Sequence, residues 1–148
     1  DHVARALVLQ LEHALDGFGI SVENRSVLDA GVSTGGFTDC VLQRGARRVF
    51  AVDVGRNQLH EHMKSDTRVD WRDGVNVRDL IADDCPYPCS LVVADLSFIS
   101  LTKVLEAFFA TVRSEPRFET PGMVLLVKPQ FEVGRERLGA GGVVRAVA

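Results

Sequence analysis

VLDAGVSTGGFTDCVLQRGA, residues 27–46, passes from a short apolar run through a glycine- and hydroxyl-rich turn into a segment with helical spacing. A strand that turns directly into a helix is the repeating unit of a parallel α/β sheet, because parallel neighbours need a long crossover and a helix supplies it. Gly31, Gly35 and Gly36 lie in the turn, where a missing Cβ permits a tight reversal and a close approach of ligand to backbone. Their spacing, G-x-x-x-G-G, is not the dinucleotide fingerprint G-x-G-x-x-G, and no lysine follows as a P-loop would require. The turn therefore suits a small molecule that is not gripped by its phosphates.

Outward from this unit, apolar runs at 26–30, 48–54, 68–71, 91–96 and 123–128 read as strands. Leu7, Leu11, Ala14, Leu15 and Phe18 recur at helical spacing ahead of the first run, with Gly17 and Gly19 marking that helix's end. Further helices are expected over 35–44, 57–64 and 101–112, with a short helical turn at 75–81. Strands alternating with helices predict a mostly parallel sheet, and nearly continuous apolar strands are those covered on both faces. The expected fold is Rossmann-like α/β.

In such sheets ligands bind beyond the carboxyl ends of the strands, near the point where strand order reverses. Asp53 ends the second strand 22 residues beyond Gly31, where a carboxylate can accept hydrogen bonds from both hydroxyls of a ribose. A nucleoside without phosphates fits that arrangement. The competing reading is that the glycines only turn the chain and Asp53 caps a local element.

Composition bounds the function. With 148 residues, 46% of them hydrophobic, the chain can bury one sizeable core, and a single domain is expected. A formal charge of -3 argues against non-specific coating of nucleic acid, although Arg44, Arg47, Arg48 and Arg56 offer a local basic face. No apolar run approaches the ~20 residues of a membrane span, and no signal segment opens the chain, so a soluble, cytoplasmic protein is expected. The cysteines are Cys40, Cys85 and Cys89, and CPYPC (85–89) lacks the second ligand pair of a zinc site, so no metal is expected. In HEHM, His60 and His62 stand two apart on an expected helix, which would aim them to different sides.

Five blocks in order, LDAGVSTGGFTD (28–39), VFAVDVG with QL (49–59), VNVR (75–78), LVVADLSFIS (91–100) and LVKPQFEVGRERLGAGGVVR (126–145), together resemble the TlyA-like family. Its members are ribosomal RNA 2′-O-methyltransferases that also carry a hemolysin label, and they are related to FtsJ-type enzymes. The resemblance implies a class I methyltransferase sheet, S-adenosylmethionine (SAM) as cofactor, and a ribose hydroxyl of ribosomal RNA or of a ribosomal subunit as acceptor. By position it implies a cofactor pocket of Gly31, Ser33, Gly35, Gly36, Phe37, Asp53, Asn76 and Asp95. Backbone donors at the glycine turn suit the cofactor's carboxylate, and Val54 and Val75 are suited to sandwich its adenine. Asn76 can read an adenine edge or cap a helix.

Asp95 and Lys128 close the fourth and fifth strands, so both should face the crevice, as an ion pair or as chemistry. The resemblance favours chemistry, with Lys128 orienting or deprotonating the ribose hydroxyl and Asp95 orienting the lysine. It also implies a further lysine on the first helix, a position that falls on Gln10 when LEHAL (11–15) is aligned. Glutamine donates a hydrogen bond but carries no charge. Residues 1–148 correspond to the methyltransferase domain alone, with the family's S4-type RNA-binding domain and the last strands expected to be missing. Two other function classes are a non-catalytic SAM- or RNA-binding module, raised by Gln10, and a pore-forming hemolysin, for which no membrane element is evident.

Overall fold

The computed structural model describes residues 2–95 and 101–126. In chain order the elements are α1 (His2–Gly17), β1 (Ser26–Ala30), α2 (Gly36–Gln43), β2 (Arg48–Val52), α3 (Glu61–Lys64), β3 (Val69–Arg72), β4 (Leu91–Ala94), α4 (Leu105–Thr111) and β5 (Gly122–Leu125), with 3-10 turns at Val77–Asp79, Ala82–Asp84 and Leu101–Lys103. The strands form one sheet in the order β3-β2-β1-β4-β5, and every pairing is parallel. The order reverses between β1 and β4, so the crevice at the carboxyl ends of these two strands is the position where α/β sheets hold ligands.

The continuous apolar strands are explained by the packing. Alternate residues leave opposite faces of a strand, and both faces here are covered. Val27, Val49, Ala51, Leu91 and Val93 join Leu11 and Leu15 of α1 and Val41 and Leu42 of α2 on one face. Leu28, Phe50, Val52 and Val92 join Val104 and Phe108, together with Val77 and Leu80, on the other. Register aligns the layers, with Leu28 beside both Phe50 and Val92.

Element boundaries differ from the sequence expectation where side chains rewrite the backbone. α1 ends in a Schellman arrangement, with the Gly19 N–H donating to Asp16 O and the Ile20 N–H to Leu15 O, and Gly19 at φ 63°. Phe18 therefore falls outside the helix and is 76% exposed rather than part of the apolar stripe. β2 stops at Val52 instead of 54, because the Asp53 carboxylate takes the Gly55 N–H and turns the chain. α3 covers only Glu61–Lys64, since Asn57 adopts φ 55° and its N–H donates to Asp73. The expected helix at 101–112 is a 3-10 turn followed by α4. The strand ends expected at Leu96 and Lys128 lie outside the described residues, as does Lys128 itself.

At the amino-terminal end of the sheet, opposite the crevice, Arg25 is buried. Its Nε donates to Ser90 Oγ (2.8 Å) and its Nη2 to Ser90 O (3.0 Å). Glu115 accepts from the Ser26 N–H and the Ser90 hydroxyl. These bonds clamp the segment leading into β5 beneath β1 and β4, leaving the other end of the sheet free for a ligand.

Candidate functional site

The chain leaves β1 through a left-handed turn, with Gly31 at φ 85°, Ser33 at φ 50° and Gly35 at φ 110°. Gly31 and Val32 both donate their N–H groups to Val52 O, at 2.8 and 3.0 Å, which holds the turn against the end of β2. Gly35 must be glycine on two counts. Its φ disfavours any side chain, and a Cβ there would stand 2.9 Å from Leu59 Cδ1 and 3.0 Å from Met63 Cγ. A Cβ on Gly36 would meet Val8 Cγ2 at 3.1 Å, so that glycine lets α1 pack close to the start of α2.

Asp53 is the hub of the site. Its Oδ2 accepts from the Ser33 N–H at 2.6 Å and its Oδ1 from the Gly55 N–H at 2.9 Å. Its own carbonyl accepts from the Val75 N–H at 2.9 Å. The carboxylate thus ties the β1–α2 turn to the β2–α3 loop, and the Asp53 carbonyl ties in the loop after β3. The local-cap reading and the ligand reading coexist, because each carboxylate oxygen keeps a further lone-pair direction for a hydroxyl. Val54 beside it is 72% exposed, an apolar surface open to a planar ring.

Asn76 caps the 3-10 turn Val77–Asp79 through its Oδ1, which accepts from the Arg78 N–H at 3.1 Å. It also lines a cavity of about 220 Å³ with Phe50, Arg72, Val75 and Asp84. Phe37 is buried in the core on the α1 side rather than lying open in the turn. It lines a smaller cavity of about 50 Å³ with Gln10, Leu11, Val124 and Leu126, so Gln10 does stand at the carboxyl end of β5. The described residues thus bring together Gly31, Ser33, Gly35 and Asp53, set Asn76 alongside, and leave Phe37 behind the turn.

Sequence reasoning missed Asp29, which is 0% exposed in β1. Its Oδ2 accepts from the Thr38 hydroxyl at 2.7 Å, while Oδ1 finds no partner among the described residues. Burial pushes its carboxyl up to about 7, the Thr38 hydrogen bond opposes this, and the charges of Asp53 and Asp95 raise it further. The signal was present as a carboxylate one residue from the end of an otherwise apolar strand, VLDA. The carboxyl groups of Asp53 and Asp95, at the ends of β2 and β4, bring negative charge to the crevice and favour a cation there.

Two other expectations are revised. The basic face does not assemble as four free cations, because Arg44 pairs with Asp16 at 2.9 Å and Arg48 donates to Ser26 Oγ while stacking 3.8 Å from the Tyr87 ring centroid. His60 precedes α3 instead of lying in it, so its ring stacks on that of His62, with centroids 5.5 Å apart, rather than pointing away. Among the described residues no group of three or more His, Cys, Asp or Glu side chains is arranged to hold a metal ion. None of the described helices is long and apolar enough to cross a membrane.

Residues 3–148 match the family model of the FtsJ-like methyltransferases. The chain is 47% identical over 135 residues to the 16S/23S rRNA (cytidine-2'-O)-methyltransferase TlyA of Mycobacterium tuberculosis, covering 91% of this chain and 48% of that protein. It is 43% identical over 140 residues to Hemolysin A of Brachyspira hyodysenteriae, across 92% of this chain and 55% of that one. A solved protein from Streptococcus thermophilus, provisionally assigned as a hemolysin, superposes with a TM-score of 0.86 at 44% identity, over 94% of this chain and 49% of its own. The chain spans about half the length of the curated relatives it matches.

Proposed function

The chain belongs to the FtsJ-like methyltransferase family, and from that premise we propose that it is the methyltransferase domain of a SAM-dependent RNA 2′-O-methyltransferase acting on ribosomal RNA. The observation that carries the reading is Asp53. It stands at the end of β2, next to the switch point, with both carboxylate oxygens fixed by backbone N–H groups and both still able to accept from a ribose.

The residues present fit such a cofactor. The left-handed turn through Gly31, Ser33 and Gly35 keeps side chains out of the way of an incoming carboxylate. Exposed Val54 and half-buried Val75 suit an adenine face, and the Asn76 amide would suit its polar edge. The negative charge of Asp53 and Asp95 at the crevice suits a ligand bearing ammonium and sulfonium charges. When bound, SAM supplies an electrophilic methyl group. The protein's part is alignment: holding an acceptor hydroxyl in line with that methyl contributes ~7–11 kcal/mol of barrier reduction by itself.

Lys128, two residues beyond Leu126 in the chain, is the group we assign to orienting or deprotonating the ribose hydroxyl. Asp95 is assigned to orienting that lysine. A second reading, a non-catalytic module that binds SAM or RNA, draws on Gln10, an uncharged side chain at the mouth of the cavity beside β5.

Calorimetric titration of SAM into the wild-type chain and into Asp53→Ala tests the cofactor assignment. Loss of two charge-assisted hydrogen bonds at ~1.5–3 kcal/mol each predicts an affinity at least tenfold lower, with the fold checked by circular dichroism. Equal affinity in a folded variant overturns it. Methylation of ribosomal RNA by the full-length protein separates the enzyme from the binding module.

A further inference from the structure

Arg44, Arg47 and Arg48 gather around the start of β2, whereas Arg56 stands at the other end of that strand, in the loop between β2 and α3. It is three residues beyond Asp53, on the rim of the crevice. The loop that carries it is pinned along its length. Gly55 donates its N–H to Asp53 Oδ1 at 2.9 Å, and its carbonyl accepts from the Gly74 N–H at 3.1 Å. Asn57, at φ 55°, donates to Asp73 Oδ2 at 3.0 Å. The His60 N–H donates to Thr34 O at 3.2 Å, in the turn after β1.

Gly74, in the loop after β3, forms a seat for the side chain. Its φ is 66°, and a Cβ there would stand 3.0 Å from Arg56 Nη2, 3.3 Å from Cζ and 3.7 Å from Nε. The guanidinium therefore lies against bare backbone, in space that any other residue would fill. Arg56 is exposed, and among the described residues its guanidinium has no ion pair and no hydrogen bond. The acids of these loops are turned elsewhere, Asp53 to the Ser33 and Gly55 N–H groups and Asp73 to that of Asn57. A seated guanidinium loses less freedom on binding than a loose one, and its fork of donors matches phosphate oxygens.

The charge of the crevice gives such a cation a purpose. Asp53 and Asp95 favour a cationic cofactor, but the same charge repels a polyanionic acceptor, and a cation on the rim offsets that repulsion. The cofactor itself carries no phosphate, and its carboxylate is assigned to the glycine turn, so the anion left for Arg56 is the acceptor's. We propose that Arg56 grips a phosphodiester of the RNA substrate, with Gly74 as the seat that positions it. The assignment rests on the RNA methyltransferase reading and adds to it a contact away from the reacting ribose. Arg56 thus governs RNA affinity rather than methyl transfer.

The test measures ribosomal RNA binding and methylation by the full-length protein across a range of salt concentrations, with SAM affinity followed by calorimetry. Arg56→Ala should raise the KM for RNA roughly tenfold and reduce the slope of log affinity against log salt by about one, with SAM affinity unchanged and kcat within a few-fold. Arg56→Lys keeps the charge without the fork, so the salt slope should return while the KM stays raised. Gly74→Ala unseats the guanidinium and should raise the KM in the wild-type background, yet add nothing to Arg56→Ala. If Gly74→Ala does not fold, the two Arg56 variants decide. A wild type that methylates RNA while Arg56→Ala keeps its KM and salt slope overturns this assignment alone. A wild type that binds SAM but neither binds nor methylates RNA overturns the RNA methyltransferase reading with it. A defect on the intact ribosomal subunit that is absent on deproteinised RNA would set Arg56 against a protein, and an equal effect of Gly74→Ala with and without Arg56 would remove the seat; each overturns the proposal.

Discussion

Replacing Asp29 with Asn should change how stability depends on pH, by an amount that follows from its burial. The carboxyl is 0% exposed, shares a hydrogen bond with Thr38, and is pushed up to about 7 from the 3.8 of a free side chain. The folded state therefore keeps a proton that the unfolded chain releases, and raising the pH favours unfolding across that window. The stability contribution is fully present below about pH 3.8 and is lost as the pH rises through about 7. At about 1.4 kcal/mol per pH unit, the whole span of roughly three units is worth ~4 kcal/mol, of which ~3 kcal/mol falls between pH 5 and pH 8. Asparagine does not titrate, so the variant-minus-wild-type stability difference should grow by that ~3 kcal/mol across this range. The absolute offset carries a further ~1–3 kcal/mol cost, because the new NH2 group sits where Oδ1 has no described partner. The slope is unaffected by that offset. Urea unfolding of both proteins at pH 5, 6, 7 and 8, with m-values compared, reads it directly. A difference that stays flat over those four pH values would refute the reasoning.

Gly35→Ala should lower stability by ~2–3 kcal/mol through its positive φ and the 2.9 Å approach to Leu59, whereas Gly17→Ala, with open space around it, should change the melting temperature little. Arg25→Leu removes the bonds to Ser90 and should cost ~2–3 kcal/mol in denaturant without altering SAM affinity, since the clamp lies at the far end of the sheet. In the full-length protein Lys128→Ala should abolish methylation and leave SAM affinity within a few-fold. Gln10→Lys should raise the rate if that position is the family's helix lysine, and an unchanged rate would show that the first helix is aligned out of register.

About half of the candidate site is legible in the sequence. Gly31, Gly35 and Asp53 announce themselves because each is a backbone or hydrogen-bonding requirement that shows in residue type alone: no side chain at a left-handed φ, and a carboxylate at a strand end. Residue type leaves Asn76 between two roles, although its cap bond to Arg78 is local, only two residues along the chain. Asp29 escapes such reading because strand periodicity reports which positions are buried, not what a polar one finds there. Its partner Thr38 is nine residues away, on the next helix.

The sequence by itself determined the sheet. Strands covered on both faces must be continuous apolar runs, so β1 could be read as Ser26–Ala30, where the structure has it, and parallel order followed from the helices between strands. Where strands and helices stop was decided by tertiary structure, since the ends are set by side chains reaching across the fold, as Asp53 does to Ser33 and Gly55. The Arg25–Ser90–Glu115 clamp and the Arg48–Tyr87 stack were equally out of reach. Their partners stand 65, 25 and 39 positions apart in the chain, and local patterning carries no information about which distant groups a folded backbone brings within hydrogen-bonding range.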